Sequence, residues 1–361
     1  MEKNSAIMSK KPLKMSKKKV VFRESVQENI DVKENSLRGR GEILDILLRD
    51  NTRTNSRKIH NILWATDSYK NLGFRATDEI LREDITGKNG NLIQSRAAKS
   101  REEQISRTKS KAEVFTPLKI VKEMNLEVAR NLNLPENHDW TDFVRAKWLE
   151  ITCGEAPFIT SRYNPVANSR KIIEPQNRVG FLDEKLKLVS KNCDDEKEWL
   201  KWAEIALKNC YGYEWSGDNL LIARENVLSS VDDFYKDKFA KNLTTKQLEH
   251  FAEIVAWNIF QMDGMNMTAP MSYARKGHFY FAKTQNVAKG GKKSKTVAVA
   301  ENLSIFSSLG LKNESFREPT VDANGKRVAK NEKIVDWATG IPVKIMDWER
   351  GNPVKFAEIQ A

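Results

Sequence analysis

The chain has 361 residues, 40% apolar and 30% charged, enough for one large or two ordinary domains with a substantial core. No apolar run reaches the ~18 residues of a membrane span. The three cysteines and four scattered histidines match neither a disulfide framework nor a zinc site. A formal net charge of +12 favours a polyanionic partner, because Lys and Arg gain affinity by releasing counterions from phosphates.

Residues 1–40 are rich in Lys, Ser, Asn and Glu and read as a basic disordered tail. Lys3, Lys10, Lys11, Lys14, Lys17, Lys18 and Lys19 have no apolar segment behind them, so the tail is not a secretory signal and the expected location is cytoplasmic. Residues 41–110 read as a helical N-terminal module. Ile43, Leu44, Ile46, Leu47 and Leu48 form an amphipathic start, with further helical patterns at His60–Leu72 and Asp78–Ile85. The charged stretch Ser95–Lys111 reads as a solvated helix or linker, with Arg96, Lys99, Arg101, Arg107, Lys109 and Lys111 available to a DNA-facing cleft.

Residues 111–284 carry α/β signals. Leu118–Leu132 reads as a helix behind Pro117, Trp148–Ile151 as a strand, and Ala156–Arg162 as the start of a helix. Leu182–Trp202 reads as one or two inserted helices and Cys210–Glu214 as the next strand. Helices are expected at Asp218–Leu228 and Thr244–Trp257, then a short strand within Asn258–Gly264. Residues 285–333 read as a flexible basic loop, most clearly at Lys289–Lys295. Residues 334–361 hold an internal repeat: Ile334–Ile345 is echoed by Ile345–Phe356, which predicts tandem β-hairpins.

The most informative stretch is Trp148-Leu-Glu-Ile-Thr-Cys-Gly-Glu-Ala-Pro-Phe158, preceded by Phe115-Thr-Pro117. An apolar strand entering a Gly turn is how a doubly wound α/β domain offers backbone N–H groups to a nucleotide-like cofactor. Together these motifs resemble the adenine-N6 DNA methyltransferases of restriction–modification systems. The resemblance runs from about Arg57 to Met265 and is nearest to the proteins called restriction endonuclease methylation (M) subunits. Glu150 takes the acidic position, followed by Ile151, Thr152, Cys153 and Gly154, while Glu155 and Pro157 replace the small residues usual there.

The resemblance implies a doubly wound Rossmann-like methyltransferase sheet that binds S-adenosyl-L-methionine. Its site would comprise Phe115, Thr116, Pro117, Glu150, Cys153, Gly154, Glu155, Ala156, Glu214 and Asp263. Glu214 would accept hydrogen bonds from the cofactor ribose hydroxyls, as suits an acceptor-only group, and Asp263 would hold the adenine amino group. Glu214 follows Glu150 by 64 positions, against the ~20 of a compact dinucleotide unit, so an insertion is required.

The family's Asn-Pro-Pro-Tyr, which holds a flipped adenine, is missing. Asn164-Pro-Val lies between the first two cofactor motifs, and Asn352-Pro-Val lies in the repeat, where Ile341 replaces the Asn. Neither fits the catalytic position, and the catalytic residues are left unassigned. The expectation is a methylation subunit acting on adenine N6 in double-stranded DNA, with a second methyltransferase or restriction subunit supplying Asn-Pro-Pro-Tyr. The alternative is a catalytically inactive DNA-binding or assembly subunit that keeps the fold. RNA or protein acceptors are a third reading, because the cofactor motifs do not specify the acceptor.

Overall fold

The computed structural model describes residues 37–111, 115–166, 171–272 and 340–359. It combines helices with a small parallel sheet and a separate antiparallel hairpin. The helices are α1 (Gly41–Leu48), α2 (Arg101–Lys111), α3 (Leu118–Arg130), α4 (Trp140–Arg145), α5 (Phe181–Asn192), α6 (Glu196–Lys208), α7 (Gly217–Phe239) and α8 (Thr245–Asn258). The strands are β1 (Trp148–Glu150), β2 (Cys210–Glu214), β3 (Ile259–Gln261), β4 (Lys344–Asp347) and β5 (Asn352–Lys355). None of the described helices is long and apolar enough to cross a membrane.

Strands β1, β2 and β3 lie side by side in sequence order and all run parallel. Parallel neighbours need crossovers, and the chain supplies α5–α6 between the first pair and α7–α8 between the second. These helices carry explicit start signals. Asp195 accepts the Glu198 N–H ahead of α6, and Thr244 and Gln247 form a reciprocal capping box at α8.

Alternation along β2 sends Cys210 and Gly212 to one face and Tyr211 and Tyr213 to the other. The first face joins the main core through Cys210, Ile259, Leu220, Ala223 and Val255. The second face is covered by the β4–β5 hairpin, where Tyr211, Tyr213, Phe260 and Met262 pack with Val343, Ile345, Val354 and Phe356. Only the second repeat copy is described as a hairpin. Half of the first copy (334–339), like 285–333 and most of the 1–40 tail, lies outside the described residues. Trp348 fastens the hairpin to α8 by donating to Asn258 Oδ1 at 2.8 Å.

Three local expectations are corrected. Between α1 and α2 the chain forms short 3₁₀ turns and isolated bridges, not further α-helices. Its apolar residues Ile62, Trp64, Tyr69 and Ile80 enter the main core, and backbone pairing between strand-like segments replaces helical hydrogen bonds. Lys99 and Arg107 are buried rather than solvated, and Arg107 pairs with the fully buried Asp218 at 2.8 Å. Ala156–Arg162 opens no helix. The Glu150 carboxylate accepts the Phe158 and Ile159 N–H groups at 3.3 and 3.0 Å, and the segment continues as turns.

Candidate functional site

Every sequence-derived candidate falls within the described residues, around the carboxyl ends of the three parallel strands. The turn after β1 has an unusual backbone. Thr152, Gly154 and Ala156 have φ of +46°, +54° and +62°, alternating with Cys153 and Glu155. Alternating handedness gathers successive N–H groups on one side of the chain, the construction of an anion-binding concavity. Left-handed backbone costs an ordinary residue about 1–2 kcal/mol, most for a β-branched one such as Thr152.

The acceptor in this turn is Glu214, at the end of β2. Its carboxylate takes the Gly154 N–H at 2.8 Å with one oxygen and the Ser216 N–H at 3.1 Å with the other. The Cys153 N–H bonds the Tyr213 carbonyl at 2.8 Å, locking the turn to β2. Phe115 lies over the glycine: a Cβ added to Gly154 would meet only its ring, at 3.7 Å. Phe115, Gly154 and Glu214 are therefore brought together. Thr116 and Pro117 follow as the lead-in to α3, with Pro117 exposed at its N-cap.

Burial pushes the Glu150 carboxyl up to about 8, opposed by its two N–H bonds and reinforced by nearby Glu214. Glu214 is raised too, chiefly by desolvation, with its N–H partners pulling the other way. Desolvation also holds the Cys153 thiol well above its ordinary range, so it is protonated at neutral pH and unsuited to nucleophilic work.

Asp263 is placed differently from the rest. It lies two residues beyond β3, buried, with Oδ1 accepting the Met265 N–H at 2.9 Å and Oδ2 accepting the Asn266 amide at 2.6 Å. Its carboxylate is engaged with its own turn. Glu155 also turns inward: it accepts the Arg96 N–H and the Tyr163 hydroxyl, each at 2.6 Å. Beside it a small cavity is lined by Phe115, Pro157, Thr160, Arg162, Tyr163, Pro165 and Asn226.

Sequence reading missed Arg162, Tyr163 and Asn226. The only sequence signal was the polarity of α7, whose Asp218, Asn219, Arg224, Glu225, Asn226, Ser229 and Ser230 are all buried. A polar helix in the interior needs specific partners.

Among the described residues no group of three His, Cys, Asp or Glu side chains is arranged to hold a metal. No protein-family model, curated protein or solved structure matches this chain.

Proposed function

We propose that this chain is a methylation subunit that binds S-adenosyl-L-methionine for methyl transfer to adenine N6 in DNA, within a restriction–modification system. The observation that carries the reading is the meeting of Gly154, Glu214 and Phe115 at adjacent parallel strand ends. Ligands of open α/β sheets bind outside the carboxyl ends of the strands, where a strand–turn offers backbone N–H groups. The residues fit such a cofactor: Gly154 presents backbone without a side chain, Phe115 an aromatic wall, and Glu214 an acceptor-only carboxylate suited to vicinal hydroxyls. When bound, the cofactor supplies an electrophilic methyl group.

This chain's residues bind and orient. Glu214 exchanges the Gly154 N–H for hydroxyl donors, and Phe115 excludes water from one side. Glu150 positions the turn through Phe158 and Ile159 without contacting the ligand. The doubly wound form of the sheet belongs to the same proposal: strand order reverses at the ligand crevice, and the described strands make only one wing, β1-β2-β3. In this reading a second subunit carries Asn-Pro-Pro-Tyr, double-stranded DNA is the acceptor, and the formal charge of +12 assists its capture in the cytoplasm.

A second reading, an inert DNA-binding or assembly subunit, is favoured by one observation: three of the turn's backbone donors, on Cys153, Gly154 and Ala156, are already engaged. Gly154 donates to Glu214 and Ala156 donates to the Cys153 carbonyl at 2.7 Å. Calorimetric titration with S-adenosylmethionine separates the two. The proposal expects saturable binding that Glu214→Ala weakens about tenfold or more. Absence of binding at millimolar cofactor, alone and with the neighbouring gene product, would sink it. Methylation of plasmid adenine dependent on Glu214 in cells expressing both chains would exclude the inert reading.

A further inference from the structure

Helix α2 has no apolar face. Its sequence, Arg-Glu-Glu-Gln-Ile-Ser-Arg-Thr-Lys-Ser-Lys, holds one apolar residue, and that residue, Ile105, is 47% exposed. Among its described side chains only Arg107 is buried. A polar helix of 11 residues is marginal on its own, so contacts from outside must hold it in place.

Those contacts are polar. Arg107 Nη2 donates to the fully buried Asp218 carboxylate at 2.8 Å, and the Tyr69 hydroxyl donates to the same oxygen at 2.9 Å. The buried Lys99 ammonium adds attraction for Asp218. Gln104 Nε2 donates to the Arg96 and Lys99 carbonyls at 2.8 and 3.0 Å, which ties α2 to the chain just before it. The flanking chain is anchored more firmly. Before α2, Glu155 holds the Arg96 N–H at 2.6 Å, and Ala97 packs with Tyr163 in a small apolar cluster. After it, α3 buries Val121, and the Asn125 amide donates to the Phe158 and Val179 carbonyls, each at 3.0 Å.

Lifting α2 between these anchors exposes little apolar surface. It exchanges a buried ion pair for two hydrated ions, and burial had already stripped both of water, so the exchange costs little. Segments poor in buried apolar contacts occupy the low end of a protein's local stabilities. We propose that α2 is a strap that opens and closes over the start of α7 while the rest of the fold stays intact, with Arg107–Asp218 as its latch. The opening lies beside the candidate site. Asp218 follows Glu214 by four positions and is close enough for its charge to push the Glu214 carboxyl up. The strap itself does not depend on the cofactor, whereas its closing over a ligand at Glu214 rests on the function proposed above.

The test is amide hydrogen exchange of the full chain, read peptide by peptide by mass spectrometry at about 0.05 and about 1 M NaCl. The α2 amides are expected to be about 100-fold or more less protected than those of β2 and α7. High salt is expected to speed them about threefold further, because it screens the attraction that draws Arg107 back. Arg107→Met keeps an apolar stem without the charge and is expected to speed α2 about tenfold while α5 and α8 exchange as in wild type. Protection of α2 equal to that of β2 and α7 would overturn the strap. Fast exchange insensitive to both salt and Arg107→Met would overturn the latch. If Arg107→Met loosens the whole fold, the salt series on wild type decides alone. About 1 mM S-adenosylmethionine is expected to slow α2 by holding it closed. Calorimetric binding without that slowing would overturn closure over the ligand and keep the cofactor reading. No binding would sink the cofactor reading and leave the strap to stand or fall on the salt series.

Discussion

Glu150 shows how a single residue ties local structure to a measurable property. It ends β1 and uses both carboxyl oxygens to hold the next turn, yet its burial raises its pKa to about 8. An acid that keeps its proton longer when folded is most stabilising at low pH. Between its ordinary value of 4.5 and about 8 the unfolded chain has lost a proton that the folded chain retains, so stability falls as pH rises. Glu150→Gln is expected to flatten that decline, seen in denaturant midpoints taken from pH about 5 to 8. An unchanged slope would mean that the carboxyl titrates normally in the fold. Thr152 gives a second test at this scale. Its φ of +46° is strained for a β-branched residue, so Thr152→Gly is expected to leave stability unchanged or raise it by up to about 1 kcal/mol. A glycine at an ordinary strand-end position would instead weaken the fold, and thermal unfolding separates the outcomes.

At the scale of elements, the buried helix α7 organises what surrounds it. Arg224 on this helix donates from Nε to the Ile259 carbonyl at 2.7 Å and from Nη2 to Ala256 at 3.1 Å, closing the end of α8. Its Nη1 reaches the Leu47 and Arg49 carbonyls at 2.5 and 2.9 Å, closing the end of α1. Four backbone carbonyls surround it, and desolvation lowers the guanidinium to about 10 against the opposing charge of Asp50, so it is still charged at neutral pH. Arg224→Met would fill similar volume but orphan those carbonyls, with an expected loss of about 3–5 kcal/mol in denaturant unfolding. The start of α7 is equally constrained. A Cβ on Gly217 would lie 2.0 Å from the Leu63 carbonyl oxygen, and the Gly217 N–H bonds the Trp64 carbonyl at 3.0 Å. Alanine gains less than about 1 kcal/mol in helix propensity, whereas the clash is with unyielding backbone. Gly217→Ala is therefore expected to destabilise by about 2–4 kcal/mol and to speed amide exchange around Leu63.

Across the whole molecule, one sheet lies between unlike layers: helices on one face and a distant hairpin on the other. The hairpin is held by side chains as well as by apolar packing. Trp348 gives its indole N–H to Asn258, the Lys208 ammonium sits 4.8 Å over the ring, and Lys147 pairs with Glu349 at 2.8 Å. Asn258 is fully buried and spends its amide N–H groups on Leu207 and Cys210, so Trp348→Ala would strand its oxygen. The expected cost is about 2–3 kcal/mol by thermal unfolding, against the near-zero effect expected for Lys147→Ala at an exposed pair. On the other side of the sheet β1 pairs only with β2 among the described residues. Leu149 and Ile151 are 43% and 64% exposed, so the turn that carries Gly154 springs from an uncovered edge.

The chain's periodicities and caps determined the local elements. Residue pattern marked a strand at β2 and helices over α5, α6 and α8, while Gly154 and Glu214 were marked by the resemblance of their motifs to the methyltransferases. Each of these signals depends on neighbours within a few positions, which is why it survives in one dimension. The tertiary structure alone decided which polar residues face inward. Arg107, Arg162, Arg224 and Asn226 look like solvent positions in a helical or loop pattern, and only their partners Asp218, Asp233, the helix-end carbonyls and Glu155 reveal them as interior. It also decided that Ala156–Arg162 stays a turn, because Glu150 and Glu155 satisfy backbone N–H groups within and beside it that no residue count could pair. Burial and hydrogen-bond completion are properties of surroundings assembled from distant segments, and those surroundings exist only once the chain is folded.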